Sequence, residues 1–360
     1  MNLTLEASSQ TAESMMAHVL RGEGTLVQEY PLVFHPKFPG RVVCMSEGED
    51  VRSACAILAR DFVVGKTTIR GGMIGSVATH EDWQSHGLGT RILVEAEAAL
   101  QIEGCGFALL WAQSPEFYLQ RGYGPIGREF DITIDREAAA RLPEPNGVRP
   151  FEPNDVSSLH ALYQSHSQRV VRSEEETAAL LGCPKMTCLV AERGGEVIAY
   201  ACCGRGEDLA NTIHEWSGEE EAVLGLVRAH VASLAEGESL FLMAPSSARS
   251  LIESLQGAGA VVREGMLGLG KILDRHEVAR VMNELLGPEA SVEVLEIAGS
   301  VPGLHLKAGD MEALIDDDAA LALVLGVNAV AEDVAEFLRG FGLDEVQLPL
   351  EPFAWGLDSI

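Results

Sequence analysis

The chain has 360 residues, with 26 Lys and Arg against 54 Asp and Glu, a formal charge of −28. Its 47% apolar and 22% charged content is that of a folded globular protein of two or three domains and excludes disorder as the main state. The acidic balance argues against nucleic acid and anionic membrane as partners, since both need cationic neutralisation, and admits cationic ones such as amines, polyamines, aminoglycosides or lysine-bearing peptides.

Seven cysteines, at 44, 55, 105, 183, 188, 202 and 203, form no CxxC pair and read as buried thiols of a reducing cytoplasm. The first residues show no basic run followed by an apolar one, so no signal peptide is expected. The longest apolar stretch, 319–331, is too short for a bilayer.

Residues 1–30 read as mixed and helical, and an aromatic-rich loop follows from Tyr30 to Pro39. Strand-like runs come next at Arg41 to Met45, Ala54 to Phe62 and Thr67 to Thr79, punctuated by glycines. From Gln84 the period changes: Leu88, Ile92, Leu93, Ala96, Ala99 and Leu100 recur at helical spacing until Gly104. The nearly all-apolar run Phe107 to Ala112 fits a strand buried on both faces. A turn at Tyr123–Gly127, a strand Phe130 to Ile134 and a Pro/Gly/Asn linker at 141–147 close the first region.

The second region, 148–275, repeats the plan. A helix Asp155 to Gln168 precedes strands Thr187 to Glu192 and Val197 to Gly204; a helix Glu219 to Ala235, a strand Leu240 to Ala244, another helix and a strand Met266 to Leu273 follow. The two regions end alike, with QRGYGPIGREFDITID from Gln120 and QGAGAVVREGMLGLGKILD from Gln256, which suggests an internal duplication. The last region, 276–360, offers a helix Glu277 to Leu286, a strand Ser291 to Ile297, a helix near Ala319 and the tail PLEPFAWGLDSI.

The sharpest feature lies between Met73 and Leu93, where a strand ends at Thr79 and Gln84-Ser85-His86-Gly87-Leu88-Gly89 opens a helix. Glycines at 87 and 89 let backbone approach a ligand with no Cβ in the way. The first N–H groups of a helix lack partners and sit at its positive end, which suits a pyrophosphate. A glycine-capped helix start with no ligand is the plain alternative. Competing motifs fail at single positions: Ile92 breaks a dinucleotide GxGxxG, Arg60 a Walker A loop, and Gln84 an HExxH zinc site.

Gln84-x-x-Gly87-x-Gly89 after a strand ending Val77-Ala78-Thr79 resembles motif A of the GNAT superfamily of N-acetyltransferases. The element Tyr118-Leu-Gln-Arg-Gly122-Tyr123, after helix and strand, resembles that family's Y-x-x-x-G-F/Y. The tandem layout with a C-terminal region resembles the enhanced-intracellular-survival type. The resemblance implies an α/β (α+β) protein with a catalytic GNAT domain at 1–140, a degenerate GNAT-like domain at 148–275 and a smaller, sterol-carrier-like α+β region at 276–360.

It further implies two parallel strands that part around acetyl-CoA. Val77, Ala78 and Thr79 would then offer backbone groups to the pantetheine; Ser85, His86, Gly87, Leu88, Gly89 and Thr90 would hold the pyrophosphate; Gln113 and Ser114 would lie beside it. Gln84 stands where the motif often has Arg, so the amides carry the pyrophosphate, with Arg91 or Arg121 as helpers. Tyr118 is the candidate general acid, a phenol of pKa about 10 protonating a thiolate whose acid has pKa about 8–9. An aromatic core residue is the plain reading. For the base, the resemblance implies the terminal carboxylate of Ile360, brought in by Phe353-Ala354-Trp355, against the reading of an exposed, mobile terminus. His80, Glu81 and Asp82 are further candidates, or solvated loop residues.

In the second region Ser217-Gly218-Glu219-Glu220-Glu221 occupies the phosphate position, and its carboxylates would repel CoA. His214-Glu215-Trp216 lines a channel or, on the favoured reading, packs a strand end. The expected activity is acetyl-CoA-dependent transfer to a primary amine by direct attack in a ternary complex, without metal and without an acyl-enzyme. The alternative is a non-catalytic acyl-CoA-binding sensor or assembly protein. Neither a nucleic-acid nor a membrane partner is expected, and a homo-oligomer is allowed.

Overall fold

A computed structural model describes residues 2–6, 10–22, 26–295, 303–326, 338–341 and 348–360. The end of the expected strand at 296–297 and the apolar residues 327–331 lie outside them. Among the described residues the fold is mixed α/β, built on two large sheets and one small one.

The first sheet has the order Asn2–Glu6, Arg41–Glu47, Asp50–Val64, Thr67–Thr79, Phe107–Leu110, Gly268–Ile272, Gly124–Ile126, with Gln168–Val170 paired to Asp50–Val64 off that path. Only Thr67–Thr79 and Phe107–Leu110 run parallel, joined by the crossover helix Leu88–Ile102. That helix buries Leu88, Ile92, Leu93, Ala96 and Leu100 on one face of the sheet.

The second sheet repeats this order: Val148–Pro150, Thr187–Arg193, Glu196–Cys203, Thr212–Gly218, Leu240–Pro245, Glu129–Ile134, Val261–Gly265. Again one pair is parallel, Thr212–Gly218 with Leu240–Pro245, and again a helix, Glu220–Ser233, connects the two.

The repeated chain ends explain the join between the sheets. In each, a short strand stays at the edge of its own sheet and the next strand crosses to the other. Glu129–Ile134 inserts between Leu240–Pro245 and Val261–Gly265, while Gly268–Ile272 inserts between Phe107–Leu110 and Gly124–Ile126. Ile132, Ile134, Leu269 and Ile272 are buried by this exchange. Sequence pattern shows these strands but not their partners, which lie in the other region of the chain.

Three local expectations change. Residues 2–6 are a strand paired with Arg41–Glu47. The helix expected to reach Gln168 stops at Gln164, and Gln168–Val170 forms a strand. Gln168 and Val170 are buried around a half-buried Arg169, the two-residue period of a strand. The short helix Pro31–Phe34 occupies part of the aromatic-rich loop.

The two helices of the last region buttress the first sheet, and the tail packs against the second. The helix Arg275–Leu286 packs on Thr67–Thr79, where Glu277 Oε1 accepts the Arg70 N–H at 3.2 Å. The helix Asp317–Leu325 packs on the exchanged strand, and its Leu325 carbonyl accepts the Gly127 N–H at 2.8 Å. A small antiparallel sheet, Ala290–Leu295, Gly303–Ala308 and Met311–Ile315, lies alongside. The tail is not the exposed, mobile terminus of the plain reading: Phe353, Trp355 and Leu357 are wholly buried, and Ile360 is 8% exposed.

Candidate active site

The parallel strands pair only at Gly71↔Phe107, Gly72↔Ala108 and Met73↔Leu109. Beyond Met73 they part. On the far side Phe107–Leu110 stays paired with the exchanged strand through Leu269↔Leu110, so the opening is a fixed gap in the sheet. A β-bulge deepens it. Ala54 pairs with Ala78 and Ala56 with Gly75, leaving Ser76 and Val77 opposite Cys55 alone. Ser76 takes a left-handed φ of 48°, and both bulge residues line the gap.

The gap widens into a cavity of about 1100 Å³. Its walls come from the two parted strands, the Tyr118 turn, residues of the second sheet including Met243, and the C-terminal tail. Of the residues expected in the site, Val77, Gln113, Ser114, Tyr118 and Ile360 line it. Ser85, His86 and Gly87 lie exposed at its rim, just beyond the lining residue Gln84, and Leu88, Gly89 and Thr90 begin the helix behind them.

Gly87 caps that helix with φ of 77°, a conformation that favours glycine. The first-turn amides of Leu88, Gly89 and Thr90 have no carbonyl four residues back to accept them. No acidic side chain stands between Gln84 and Thr90. The gap and these amides therefore fit a pantetheine arm and its diphosphate. Two expected groups are already engaged. The Ala78 carbonyl accepts Ser53 Oγ at 3.1 Å, and Gln84 Nε2 donates to the Thr79 carbonyl at 3.3 Å. Thr79 Oγ1 lies 3.0 Å from Ser53 Oγ.

Arg121 braces the loop rather than reaching over it. Its Nη2 donates to Thr90 Oγ1 at 2.7 Å, another N–H donates to the Phe117 carbonyl, and the guanidinium sits 3.7 Å from the Phe117 ring centroid. This fixes the helix start against the turn that carries Tyr118, while Arg91 is exposed.

Tyr118 sits on the short helix Glu116–Leu119, edge-on to Phe117 at 5.0 Å and to Tyr123 at 5.8 Å. Burial pushes its phenol above the ordinary 10; the Cys55 thiol adds to the shift and Arg121 opposes it. Tyr118 therefore keeps its proton at neutral pH. Tyr123 is held by Glu97 at 3.0 Å, and Glu97 also accepts Lys271 of the exchanged strand at 2.8 Å. His80 does not face the cavity: its Nδ1 accepts the Asp82 N–H at 3.3 Å as a cap, and Glu81 and Asp82 are exposed.

The tail reaches the cavity through a set of anchors that sequence reasoning missed. Arg172 is buried and forms a two-pronged pair with Glu215 at 2.7 and 2.8 Å, and it reaches Asp358 at 3.2 Å. Tyr163 donates to Asp358 at 2.7 Å and Tyr200 to Glu215 at 2.9 Å. Burial opposes ionisation of both carboxyls. Arg172 wins at Glu215, holding it below the ordinary range, while burial prevails at Asp358 and raises it. Arg205 donates to the Glu29 carbonyl at 2.9 Å, the Ser359 carbonyl at 3.1 Å and the Gly356 carbonyl. Trp355 Nε1 donates to the Gln168 carbonyl at 3.0 Å. The chain end thereby lies on Gly75, where any Cβ would overlap the Ile360 carbonyl.

The second sheet has the corresponding gap and closes it. Its parallel pairing ends at Ile213↔Leu242. His214, Glu215 and Trp216 are buried there, and Trp216 Nε1 bridges to the Met243 carbonyl on the facing strand at 3.1 Å. His214–Trp216 is thus a packed strand end. Glu219 caps the connecting helix, with Glu220 and Glu221 in its first turn, where the first unit has glycine.

Residues 14–126 match the family model of the acetyltransferase (GNAT) domain. The chain carries a GNAT acetyltransferase domain. That domain makes it an acyltransferase. Solved structures share the fold over 88% or more of the chain. A GCN5-related N-acetyltransferase from Anabaena variabilis is 13% identical, with all of both chains covered and a TM-score of 0.68. A probable N-acyltransferase from Enterococcus faecalis is 15% identical, covering 88% of this chain and 86% of its own, at 0.65. Eis1 from Mycobacterium abscessus is 15% identical, covering 98% and 99%, at 0.57. No curated protein matches the chain. Among the described residues no helix of the chain is long and apolar enough to cross a membrane.

Proposed function

We propose that the chain transfers an acetyl group from acetyl-CoA to a primary amine of a cationic acceptor, by direct attack in a ternary complex. One observation carries this reading: a single cavity is lined by the parted strands, Tyr118 and the terminal residue Ile360.

The cosubstrate belongs to the GNAT domain in general, and the gap, the bulge and the Gly87–Thr90 amides are the groups that would hold it. The terminal carboxylate of Ile360 takes a proton from the acceptor ammonium. The freed nitrogen attacks the carbonyl carbon, the C–N bond forms and the C–S bond breaks. Tyr118 gives its proton to the departing sulfur, its raised pKa having kept that proton in place until then, and the phenolate takes back the second proton that the nitrogen sheds as the amide forms, while Ile360 returns its own proton to solvent. The formal charge of −28 favours cationic acceptors at the encounter stage.

Release of free thiol from acetyl-CoA, measured with a panel of aliphatic diamines, aminoglycosides and lysine peptides, tests the reading. Stimulated release by at least one of them is expected. Tight coenzyme binding with no stimulated release by any amine would favour the sensor instead.

A further inference from the structure

Glu129 opens the strand that leaves the first unit for the second sheet, and it lines the same cavity. The residue is 9% exposed, and its Oε2 is buried without a hydrogen-bond partner among the described residues. An unpartnered buried carboxylate oxygen is costly, and buried charges ordinarily have a partner.

Among the described residues no cation pairs with it: of the arginines that line the cavity, Arg21 is held by Glu29 and Asp208, and Arg205 by the Glu29, Gly356 and Ser359 carbonyls. Its cross-strand neighbours are Pro245 and Gly265, and the strand Leu240–Pro245 carries no charged residue. Arg128, next in the chain, is taken by Glu351 at 3.0 Å and Glu264 at 3.4 Å. Arg263 stands opposite Asp131, two residues along, and Asp131 adds further negative charge near Glu129. Met243, Met266 and Leu267 make the adjoining walls apolar.

We propose that Glu129 is a specificity residue that ion-pairs with a second ammonium group of the acceptor, so that the enzyme prefers diamines to amines with one charge. This rests on the amine-acetylating reading above. Burial, helped by Asp131, pushes the free carboxyl up to about 8, so at pH 7 it is mostly protonated. An ammonium beside it would draw the carboxyl down, and the proton would leave on binding.

Two measurements test this. In steady-state assays, kcat/KM for 1,4-diaminobutane should exceed that for 4-aminobutan-1-ol by tenfold or more. Glu129→Gln should erase the preference while the KM for acetyl-CoA stays the same. By calorimetry at pH 7 in two buffers of different ionisation enthalpy, 1,4-diaminobutane should release a proton on binding to the native chain and none on binding to Glu129→Gln. An unchanged preference in the variant, or binding to the native chain without proton release, overturns the assignment. Should the native chain acetylate neither compound yet bind the diamine with a Glu129-dependent proton release, the transfer reading falls and the Glu129 assignment stands.

Discussion

Tyr118 is the side chain whose chemistry is simplest to isolate. It lines the cavity, burial holds its hydroxyl protonated, and its neighbours Phe117 and Tyr123 fix the ring by edge contacts. Tyr118→Phe keeps those contacts and removes only the proton donor. Turnover should fall by about a hundredfold or more, the range of a lost general acid, with acetyl-CoA affinity nearly unchanged. Equal turnover in the variant would leave Tyr118 as a packing residue. This residue and the loop before Leu88 were legible in the sequence because their signals are local: a glycine required by a φ of 77°, and a tyrosine four residues before Gly122. Arg172, Asp358 and Arg205 were not legible, since their partners lie 43, 186 and 176 residues away. Nothing in the spacing around Arg172 marks it, and only the fold shows that it is buried between two carboxylates. Glu129 stands just before the strand expected at Phe130 to Ile134, and its signal is a missing partner, which no spacing can show.

At the scale of elements, the tail is the part that must be placed accurately. Arg172, Arg205, Trp355 and Tyr163 hold residues 355–359, and the chain end then meets the bulged strand at Gly75. Glycine is needed there for space, because a Cβ at position 75 would collide with the Ile360 carbonyl. Gly75→Ala should therefore displace the last residue while the anchors keep the remainder of the tail docked. The expected outcome is a large loss of kcat with little change in coenzyme affinity and an intact near-ultraviolet dichroism signal from the buried Trp355. Full activity in Gly75→Ala would separate Ile360 from the chemistry. The tail sequence FAW could be recognised as apolar, so burial was inferable; its route could not be, because it depends on ion pairs in the second sheet. The strands of the first sheet were mostly legible, Thr67–Thr79 to the residue, since alternation and all-apolar runs are properties of a single strand. The exchange of Glu129–Ile134 and Gly268–Ile272 is a property of pairs, and the repeated chain ends were its only trace.

For the whole molecule, that exchange means that neither large sheet is complete without a strand from the other half of the chain, so the two should unfold together. Acid offers the way to show it. His166, His214 and His230 are buried and each is pulled from the ordinary 6.5 down to about 4, burial being the largest cause in all three. Each is neutral in the folded chain and takes a proton once unfolded, so the unfolded state binds more protons below pH 6.5. Their contribution is fully present above 6.5 and is lost as pH falls toward 4, on the order of 3 kcal/mol for each histidine. All three lie in the second sheet or on elements packed against it, whereas the candidate active site opens in the first. If the halves were independent, acid would melt the second and spare the first, giving two transitions on heating at pH 5. Because Gly268–Ile272 separates Phe107–Leu110 from Gly124–Ile126, loss of the second half removes a central strand beside the gap. We therefore expect a single transition at every pH, with Tm falling between pH 6.5 and 4. Tryptophan fluorescence and coenzyme binding should be lost at the same temperature, and His230→Gln should make the pH dependence shallower. A binding-competent first half surviving past the fluorescence transition would show that the exchanged strands do not couple the two.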